Sequence, residues 1–329
     1  MIFVTDQNKV TFLYESGTYA VASGTSGNWI GLITSHEAEE AENVIEVRYT
    51  GAGNRNFGQL INGPKDYTGT ITFYPQDFKM FYFALGSCVD VSGTSTSRHL
   101  ISELNNDGRA VAYSDQLNIM PSFTIVDSKK HPTDGLSHVR QYKGCVVDTL
   151  SLKAANGEVL ECELGYNAQS MLLGSKTTDI ISTLNEDTSR PYIWSDCILT
   201  VGGTVMNEVN EINLSIENSN EVRHYVNGSK VAQAFVPTNR NYSLELTMDP
   251  NSNWAKKLND FYQEGSVFNV SLAATISATE NATFIMSGCK ITEASLPSAN
   301  EGIDEASVTI QPQTMIIAGS DTSYRYLMV

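Results

Sequence analysis

The chain has 329 residues, roughly twice the length of a typical domain, so two domains are expected. Hydrophobic residues make up 41% and charged residues 18% of the chain, a balance that excludes disordered, collagen-like and coiled-coil proteins. The net charge of 21 − 37 = −16 argues against tight nucleic-acid binding, because such binding needs clustered cations that displace counterions from phosphates.

Strand-forming segments recur along the whole chain. Alternating stretches rich in Val, Ile, Thr, Tyr and Phe predict strands at 44–49, 68–73, 122–126, 146–152, 159–164, 212–216, 242–248, 267–272 and 306–310. Turn-forming residues lie between them at 62–64, 105–108, 156–157 and 227–228. The pattern predicts an all-β protein with short helices and a sandwich or barrel architecture.

Two short helices interrupt the strands. Apolar residues at helical spacing predict a helix over 78–85, with Asp77 as its cap and Gly86 as its stop. A second set at the same spacing predicts a helix over 254–262, which ends at Gly265. Each helix has one apolar face to bury.

The two helices belong to an internal repeat. The segment 67–75 recurs as 242–250, with an offset of 242 − 67 = 175. A Gly-Cys pair then follows a Phe-containing strand in both copies, at 144–145 and 288–289. The chain is therefore predicted to contain two copies of one β unit with the same topology.

Residues 88–120 have no counterpart in the second copy. The distance from Gly86 to Gly144 is 58 residues and that from Gly265 to Gly288 is 23, so the first copy carries 58 − 23 = 35 extra residues. We interpret them as an inserted loop.

A linker rich in Ser, Thr, Gly and Asp separates the two copies. The predicted division is an N-terminal arm (1–27), a first domain (28–170) with the inserted loop (88–120), a linker (171–190), a second domain (191–315) and a C-terminal tail (316–329).

The segment 190–218 resembles the start of the second domain in tail tube proteins of long-tailed viruses of bacteria or archaea. It contains an entry into a strand, a Gly-Gly hairpin and then a long strand. The first copy resembles the same family through four short features, at 54–57, 63–64, 68–73 and 86–87. The resemblance covers about residues 28–312 and rests on an ordered set of features seen twice.

The resemblance implies a structural virion protein with two tandem tube domains. Three chains would form a ring of six domains, and such rings would stack head to tail into the tail tube, the conduit for genome ejection. Strands of neighbouring domains would pair and close an inner barrel, which removes their exposed edges. The implied partners are other copies of the chain and the tail terminator, tape measure and tail tip proteins.

The resemblance also implies that viral DNA passes through the bore without specific binding. Carboxylates and polar side chains along the bore would avoid adhesion of the polyanion. No membrane is involved, and synthesis and assembly are expected in the host cytoplasm. The acidic run 36–42 is interpreted first as a solvated acidic loop, and the alternative is a segment that faces the bore or makes a ring contact.

No catalytic, cofactor or metal site is predicted. The cysteines lack any CxxC spacing and are expected to be buried thiols: Cys88, Cys145, Cys162, Cys197 and Cys289. The histidines show no ligand spacing and are expected in exposed loops or turns: His36, His99, His131, His138 and His224. The tryptophans are expected to be core or interface anchors: Trp29, Trp194 and Trp254.

Three stretches resemble known metal- or cofactor-binding motifs but lack a residue that the motif requires. The run at 36–42 is not a zinc-protease motif because position 40 is Glu. Asp249 begins a calcium-loop pattern that Trp254 breaks, because Trp occupies the position that needs Gly. Gly51 and Gly53 lack the third glycine of a dinucleotide-binding loop.

Two other classes of function stay open beside the tube subunit. One is a secreted binding module of tandem β-sandwiches, for carbohydrate or cell-surface adhesion, which needs an export signal that the first ten residues do not show. The other is an enzyme, which lacks a reactive constellation of side chains.

Overall fold

The computed structural model describes residues 8–15, 19–22, 24–48, 59–92, 97–103, 120–130, 137–174, 183–250, 254, 257–263, 265–295 and 305–321. Within these ranges the fold is all-β with short helices, which confirms the predicted class.

The strands of the first half, in chain order, are β1 (Lys9–Tyr14), β2 (Ser26–Asn28), β3 (Leu32–Val47), β4 (Gln59–Tyr74), β5 (Gly86–Ser92), β6 (Ser97–Glu103), β7 (Phe123–Lys130), β8 (Ser137–Ala155), β9 (Glu161–Ala168), β10 (Ser170–Gly174) and β11 (Thr183–Asn185). Those of the second half are β12 (Cys197–Val201), β13 (Thr204–Met206), β14 (Val209–Glu217), β15 (Asn220–Arg223), β16 (Ala234–Pro237), β17 (Asn241–Met248), β18 (Phe268–Thr275), β19 (Asn281–Ser295), β20 (Ala306–Gln311) and β21 (Thr314–Asp321). The helical segments are α1 (Met80–Leu85), a 3₁₀ turn (Trp194–Asp196) and a π-helical turn (Leu258–Gln263).

One antiparallel sheet runs through both halves, and we call it the shared sheet. Its strand order is β3-β4-β9-β8-β14-β17-β20-β19. Each half adds a flanking sheet: β11-β2-β1-β7-β8-β10 in the first and β13-β12-β18-β19-β21-β6-β5 in the second. The two long strands β8 and β19 each belong to a flanking sheet and to the shared sheet.

The long strands change sheet at matching glycines. Gly144 in β8 and Gly288 in β19 have φ angles of +64° and +66°, a backbone region that other residues rarely adopt. A Cβ at Gly144 would lie 2.8 Å from the ring of Tyr19, and one at Gly288 would lie 2.8 Å from the Cβ of Gln313. Glycine therefore allows the strand to bend from one sheet into the other.

The pairing shows that the sequence repeat is also a structural repeat. Eight strands of each half pair with one another in the same pattern: β1, β2, β3, β4, β7, β8, β9 and β10 in the first, and β12, β13, β14, β17, β18, β19, β20 and β21 in the second. The β-bulges also match: the one after Val147 in β8 recurs after Ile291 in β19, and the one after Ile33 in β3 recurs after Val209 in β14. The division into two separate domains stays a prediction, since the shared sheet joins the halves.

Part of the predicted inserted loop is a β-hairpin. Strands β5 and β6 pair with each other, and β6 continues onto β21. The prediction of a loop at 88–120 is therefore wrong for residues 88–92 and 97–103, while residues 104–119 lie outside the described part of the chain. The Ser- and Thr-rich sequence of this hairpin resembles a loop, but its backbone extends an existing sheet.

The predicted arm, linker and tail also contain strands. The arm at 1–27 includes β1, the linker at 171–190 includes most of β10 and all of β11, and the tail at 316–329 includes most of β21. These short strands were missed because each pairs with a distant partner, so the local sequence carries a weak signal.

The predicted turn at 62–64 is wrong, because β4 runs through it. The register of β3 against β4 shifts between Glu42 and Val44, and a Cβ at Gly63 would lie 2.0 Å from the carbonyl oxygen of Asn43. Gly63 and Pro64 therefore mark a bulge in a long hairpin. The predicted turn at 156–157 is confirmed, and the one at 105–108 lies outside the described residues.

The first predicted helix is confirmed as α1, with a later start. Asp77 is not its N-cap, although its carboxylate accepts the backbone N–H of Lys79 at 3.1 Å. Gly86 ends the helix in the left-handed region, as predicted. The second helix contains a π-helical turn at Leu258–Gln263 in place of regular α geometry.

A continuous apolar core lies between the shared sheet and the flanking sheets. The ring of Phe284 in β19 makes edge-to-face contacts with Phe78 and Phe81, at centroid distances of 5.1 and 5.2 Å. The α1 region of the first half therefore packs on the second half. This packing covers one face of the shared sheet, and none of the described elements covers the opposite face.

Candidate assembly surface

Away from the end of the β3–β4 hairpin, the open side of the shared sheet is polar, and we call it the polar face. Along β14 the buried Ile212, Leu214 and Ile216 alternate with Asn213 and Ser215, which point away from the core. The same alternation holds in the neighbouring strands. The outward residues include Glu37, Glu39, Thr68, Thr70, Thr72, Thr149, Ser151, Lys153, Glu163, Glu211, Asn213, Ser215, Glu217, Ser243, Glu245, Thr247, Glu293, Ser295, Ser307 and Thr309.

Carboxylates dominate the charge of the polar face. Lys153 is held by Glu211, with 3.1 Å between its Nζ and the carboxylate Oε1. The hydrogen bond to Glu211 raises the pKa of Lys153, so the amine stays charged and its field is partly neutralised. The other acidic side chains of this face give it a negative potential.

A shallow depression of about 430 Å³ lies on the polar face, where Gly165 presents no side chain beside Thr149. Gly69 in β4 and Gly165 in β9 line it, together with Glu37 and Glu39 of β3. Beneath it the Tyr166 hydroxyl would lie 2.3 Å from a Cβ at Gly69. The depression is thus a feature of the sheet surface, and its lining is polar.

The acidic run 36–42 lies in β3, so its interpretation as a loop is wrong. Glu37 and Glu39 are exposed on the polar face, as expected of alternate residues in a strand. Glu40 accepts a hydrogen bond of 2.7 Å from Lys65 Nζ, which raises the pKa of that amine. Since β3 is the first strand of the shared sheet, the run is placed on a sheet edge.

The shared sheet has two free edges. Among the described residues β3 pairs with β4 alone, and the part of β19 at 290–295 pairs with β20 alone. Unpaired N–H and C=O groups on an exposed edge are a template for another strand.

The two edges correspond to strands that already pair inside the chain. At the centre of the sheet, Thr149–Ala155 of β8 pairs with Glu211–Glu217 of β14. This junction places Leu152 opposite Leu214, and both side chains are buried. Since β19 is the counterpart of β8 and β3 is the counterpart of β14, the free edges are complementary to each other.

Two equivalent hairpins differ in what they cover. The β15–β16 hairpin has the same register as the end of the β3–β4 hairpin. The β15–β16 pairs run from Asn220↔Pro237 to Arg223↔Ala234, and the equivalent β3–β4 pairs run from Val44↔Asn62 to Val47↔Gln59.

The β15–β16 hairpin folds over the first half of the same chain. Phe235 is buried in a small cluster with Tyr19 and Val146, and His224 Nε2 lies 2.7 Å from Asp66 Oδ1. No described residue covers the end of the β3–β4 hairpin in this way, and its apolar side chains are 45% to 59% exposed: Val44, Ile45, Leu60 and Ile61.

Three histidines are placed differently from the prediction, whereas His224 lies outside the strands, directly after β15, as predicted. His36, His99 and His138 lie in strands, so their predicted position in exposed loops or turns is wrong, and His99 is only 3% exposed. His36 Nε2 lies 2.9 Å from the Tyr166 hydroxyl. His131 lies outside the described residues.

The cysteines are free thiols in or near the core, as predicted. Cys88, Cys145, Cys162 and Cys289 are buried and Cys197 is half-buried. Burial raises the pKa of Cys197 to about 12 and that of Cys289 to about 11, so these thiols stay protonated and unreactive near neutral pH.

The tryptophans divide between core and surface. Trp254 is buried, Trp29 donates its indole N–H to Gln76 at 2.6 Å, and Trp194 is 45% exposed. The failed calcium pattern begins at Asp249, whose carboxylate accepts a hydrogen bond of 3.0 Å from Asn210. Residues 251–253 of that pattern lie outside the described part of the chain.

These features define a structural β protein in which two fused units share one sheet and leave both of its edges open. A family model for phage tail tube proteins matches residues 16–323. The chain belongs to the phage tail tube protein family, which confirms the resemblance seen in its sequence, and it is a structural protein of the virion tail. No curated protein matches the chain at a significant level. None of the helices in the described residues is long and apolar enough to cross a membrane.

Proposed function

We propose that three copies of the chain close into a ring of six units and that these rings stack head to tail to form the tail tube. The observation that supports this proposal is the β8–β14 junction inside the chain. It is a complete example of the contact that the free β19 and β3 edges of two copies would make. We call this contact between copies the seam. Repeating one contact around an axis generates a closed ring without unpaired edges.

The strand count of the proposed ring follows from the shared sheet. Each chain contributes eight strands, so three chains form an inner barrel of 3 × 8 = 24 strands. A barrel of this size encloses an aqueous channel, since barrels of 16 to 18 strands already do so.

The internal junction also predicts the register between copies. Residues of β8 map to β19 with an offset of 288 − 144 = 144, and those of β14 map to β3 with an offset of 209 − 33 = 176. The pair Ser151↔Ser215 therefore becomes Ser295 of one copy opposite Glu39 of the next.

The β3–β4 hairpin would cover the next copy as the β15–β16 hairpin covers the first half of its own chain. Val44 and Leu60, which lie on one side of the hairpin, would then become buried, each stabilising the seam by about 1 kcal/mol because they are half-exposed beforehand. Closing the ring would thus bury both the free edges and the apolar hairpin end.

The polar face would line the bore of the ring. Its carboxylates repel the DNA backbone, so the genome can pass during ejection into the host without binding. The ends of the tube would contact the tail terminator, tape measure and tail tip proteins, after synthesis and assembly in the host cytoplasm.

A cross-linking experiment tests the predicted seam. We expect the double variant Ser295→Cys with Glu39→Cys to form disulfides between copies under mild oxidation, since directly opposed residues on adjacent strands have suitable Cβ distances. A denaturing gel without reductant should show a ladder that ends at three chains.

The matched control is Ser295→Cys with Thr68→Cys, because Thr68 lies on β4, one strand in from the edge. It should remain monomeric on the same gel. A ladder that ends at another number of chains, or cross-linking equal to that of the control, would contradict the proposal.

A further inference from the structure

The β5–β6 hairpin brings three metal-ligating side chains together. Cys88 and Asp90 are two residues apart in β5, so they point to the same side, and Asp90 is directly opposite His99 in β6. Cys88 and His99 are buried and the Asp90 side chain is 9% exposed. A thiol, a carboxylate and an imidazole thus meet at the margin of the core.

The distances within this cluster are short enough for a shared ion. His99 Nδ1 lies 2.7 Å and Cys88 Sγ lies 3.1 Å from Asp90 Oδ1, and the ligand atoms all lie within 4.8 Å of one another. Tetrahedral zinc, with bonds of about 2.0 to 2.3 Å, needs ligand atoms roughly 3.3 to 3.6 Å apart. The short contacts therefore need to open by about half an ångström, which side-chain rotation can supply.

The charges of the cluster also fit a divalent ion. A thiolate from Cys88 and a carboxylate from Asp90 neutralise Zn²⁺, and His99 coordinates as a neutral imidazole. The buried site then carries no net charge, so the ion adds no unbalanced charge to the margin of the core. Sulfur and nitrogen ligands favour zinc over magnesium or calcium.

We propose that Cys88, Asp90 and His99 form a zinc site that fixes the β5–β6 hairpin, with water as the fourth ligand. The ion would join the two strands of the hairpin, and β6 is in turn paired with β21. Residues 88 and 99 are eleven positions apart and meet only across the hairpin, so their spacing shows no zinc motif and no metal was predicted from the sequence.

The test uses the full chain purified from medium that contains zinc. We expect one zinc ion per chain by elemental analysis and, after replacement by Co²⁺, a thiolate-to-cobalt charge-transfer band. A chelator should lower the Tm by about 5 °C, and added zinc should restore it. Cys88→Ser and His99→Gln should each abolish zinc binding and the charge-transfer band.

The matched control is Cys289→Ser, which alters another buried thiol and should retain the ion and the band. If the Cys88 and His99 variants fail to fold, the zinc content and cobalt spectrum of the unaltered chain still show whether the site binds the ion. Absence of zinc from that chain with an unchanged Tm in chelator, or equal zinc binding by Cys88→Ser, would overturn the proposal.

Discussion

Glu15 is a buried carboxylate that joins separate segments of the first half. It accepts hydrogen bonds from Ser122 at 2.6 Å, Thr124 at 2.5 Å and the backbone N–H of Gly144 at 2.8 Å. A further bond of 2.9 Å comes from the N–H of Ala20. This one side chain therefore fixes β1 beside the point where β8 changes sheet.

We expect Glu15→Ala to lower the free energy of unfolding by about 3 to 5 kcal/mol, because several buried donors lose their acceptor. Urea unfolding of the unassembled chain measures this change. Glu186→Ala is the control, since the exposed Glu186 carboxylate makes only a 4.0 Å contact with Lys9. A loss below about 1 kcal/mol in Glu15→Ala would show that these bonds matter little.

The pair Arg190–Asp196 gives stability that depends on pH. Arg190 donates to both carboxylate oxygens of Asp196, at 2.7 and 2.8 Å, and this lowers the pKa of Asp196. Because the folded-state pKa is depressed, the stabilisation is present above the unfolded-state pKa and is lost as the pH falls through the folded-state value.

Asp196→Asn should therefore destabilise the chain by about 1 kcal/mol at pH 7, and the difference should shrink as the pH falls below about 4. Unfolding in urea at a series of pH values measures it. Glu221→Gln removes an exposed pair with Arg223 and should leave stability unchanged at every pH. A constant difference for Asp196→Asn down to the lowest pH would refute the assignment.

The acidic run shows what the sequence could and could not predict about the candidate site. Its composition identified residues 36–42 as a candidate for the bore or a ring contact, but a succession of glutamates looks like a loop. The strand conformation depends on pairing with β4, more than twenty residues away in the chain. The partner strand, which the local sequence does not reveal, decides the structure here.

At the scale of elements, the β3–β4 hairpin carries its own prediction. The double variant Val44→Ser with Leu60→Ser should fold normally, since both side chains are half-exposed in the single chain. It should weaken ring formation, because the proposed seam loses apolar contacts. Sedimentation velocity measures the ring fraction.

Leu172→Ser is a suitable control, since Leu172 is also about half-exposed but lies on β10, away from the shared sheet. It should assemble like the unaltered chain. Equal assembly of the hairpin variant and this control would exclude the hairpin from the seam.

Strands in which apolar and polar residues alternate strictly were predictable from the sequence. Strands that are stabilised by pairing with distant parts of the chain were not. Strands β14 and β17 alternate buried and polar residues, so their sequences identify them. Strands β5, β6 and β21 were missed, because Ser and Thr dilute the alternation and their pairing crosses from one half of the chain to the other. The long β3–β4 hairpin was shortened in the prediction, because Gly63 and Pro64 look like a turn.

In the proposed ring, the duplication within the molecule would turn a contact between copies into a contact within one chain. The β8–β14 junction is fixed by covalent connection, which raises its effective concentration, so only the β19 and β3 edges would need to be joined by association. Glutamates on β3 discourage random pairing of that edge before assembly, since charged edge strands resist aggregation.

Helical reconstruction of tubes assembled from the purified chain would show how the copies pair. We expect three copies per ring, a closed inner barrel of 3 × 8 = 24 strands, and Ser295 of each copy opposite Glu39 of the next. Six copies per ring, or β3 and β19 edges that stay unpaired in the tube, would contradict it.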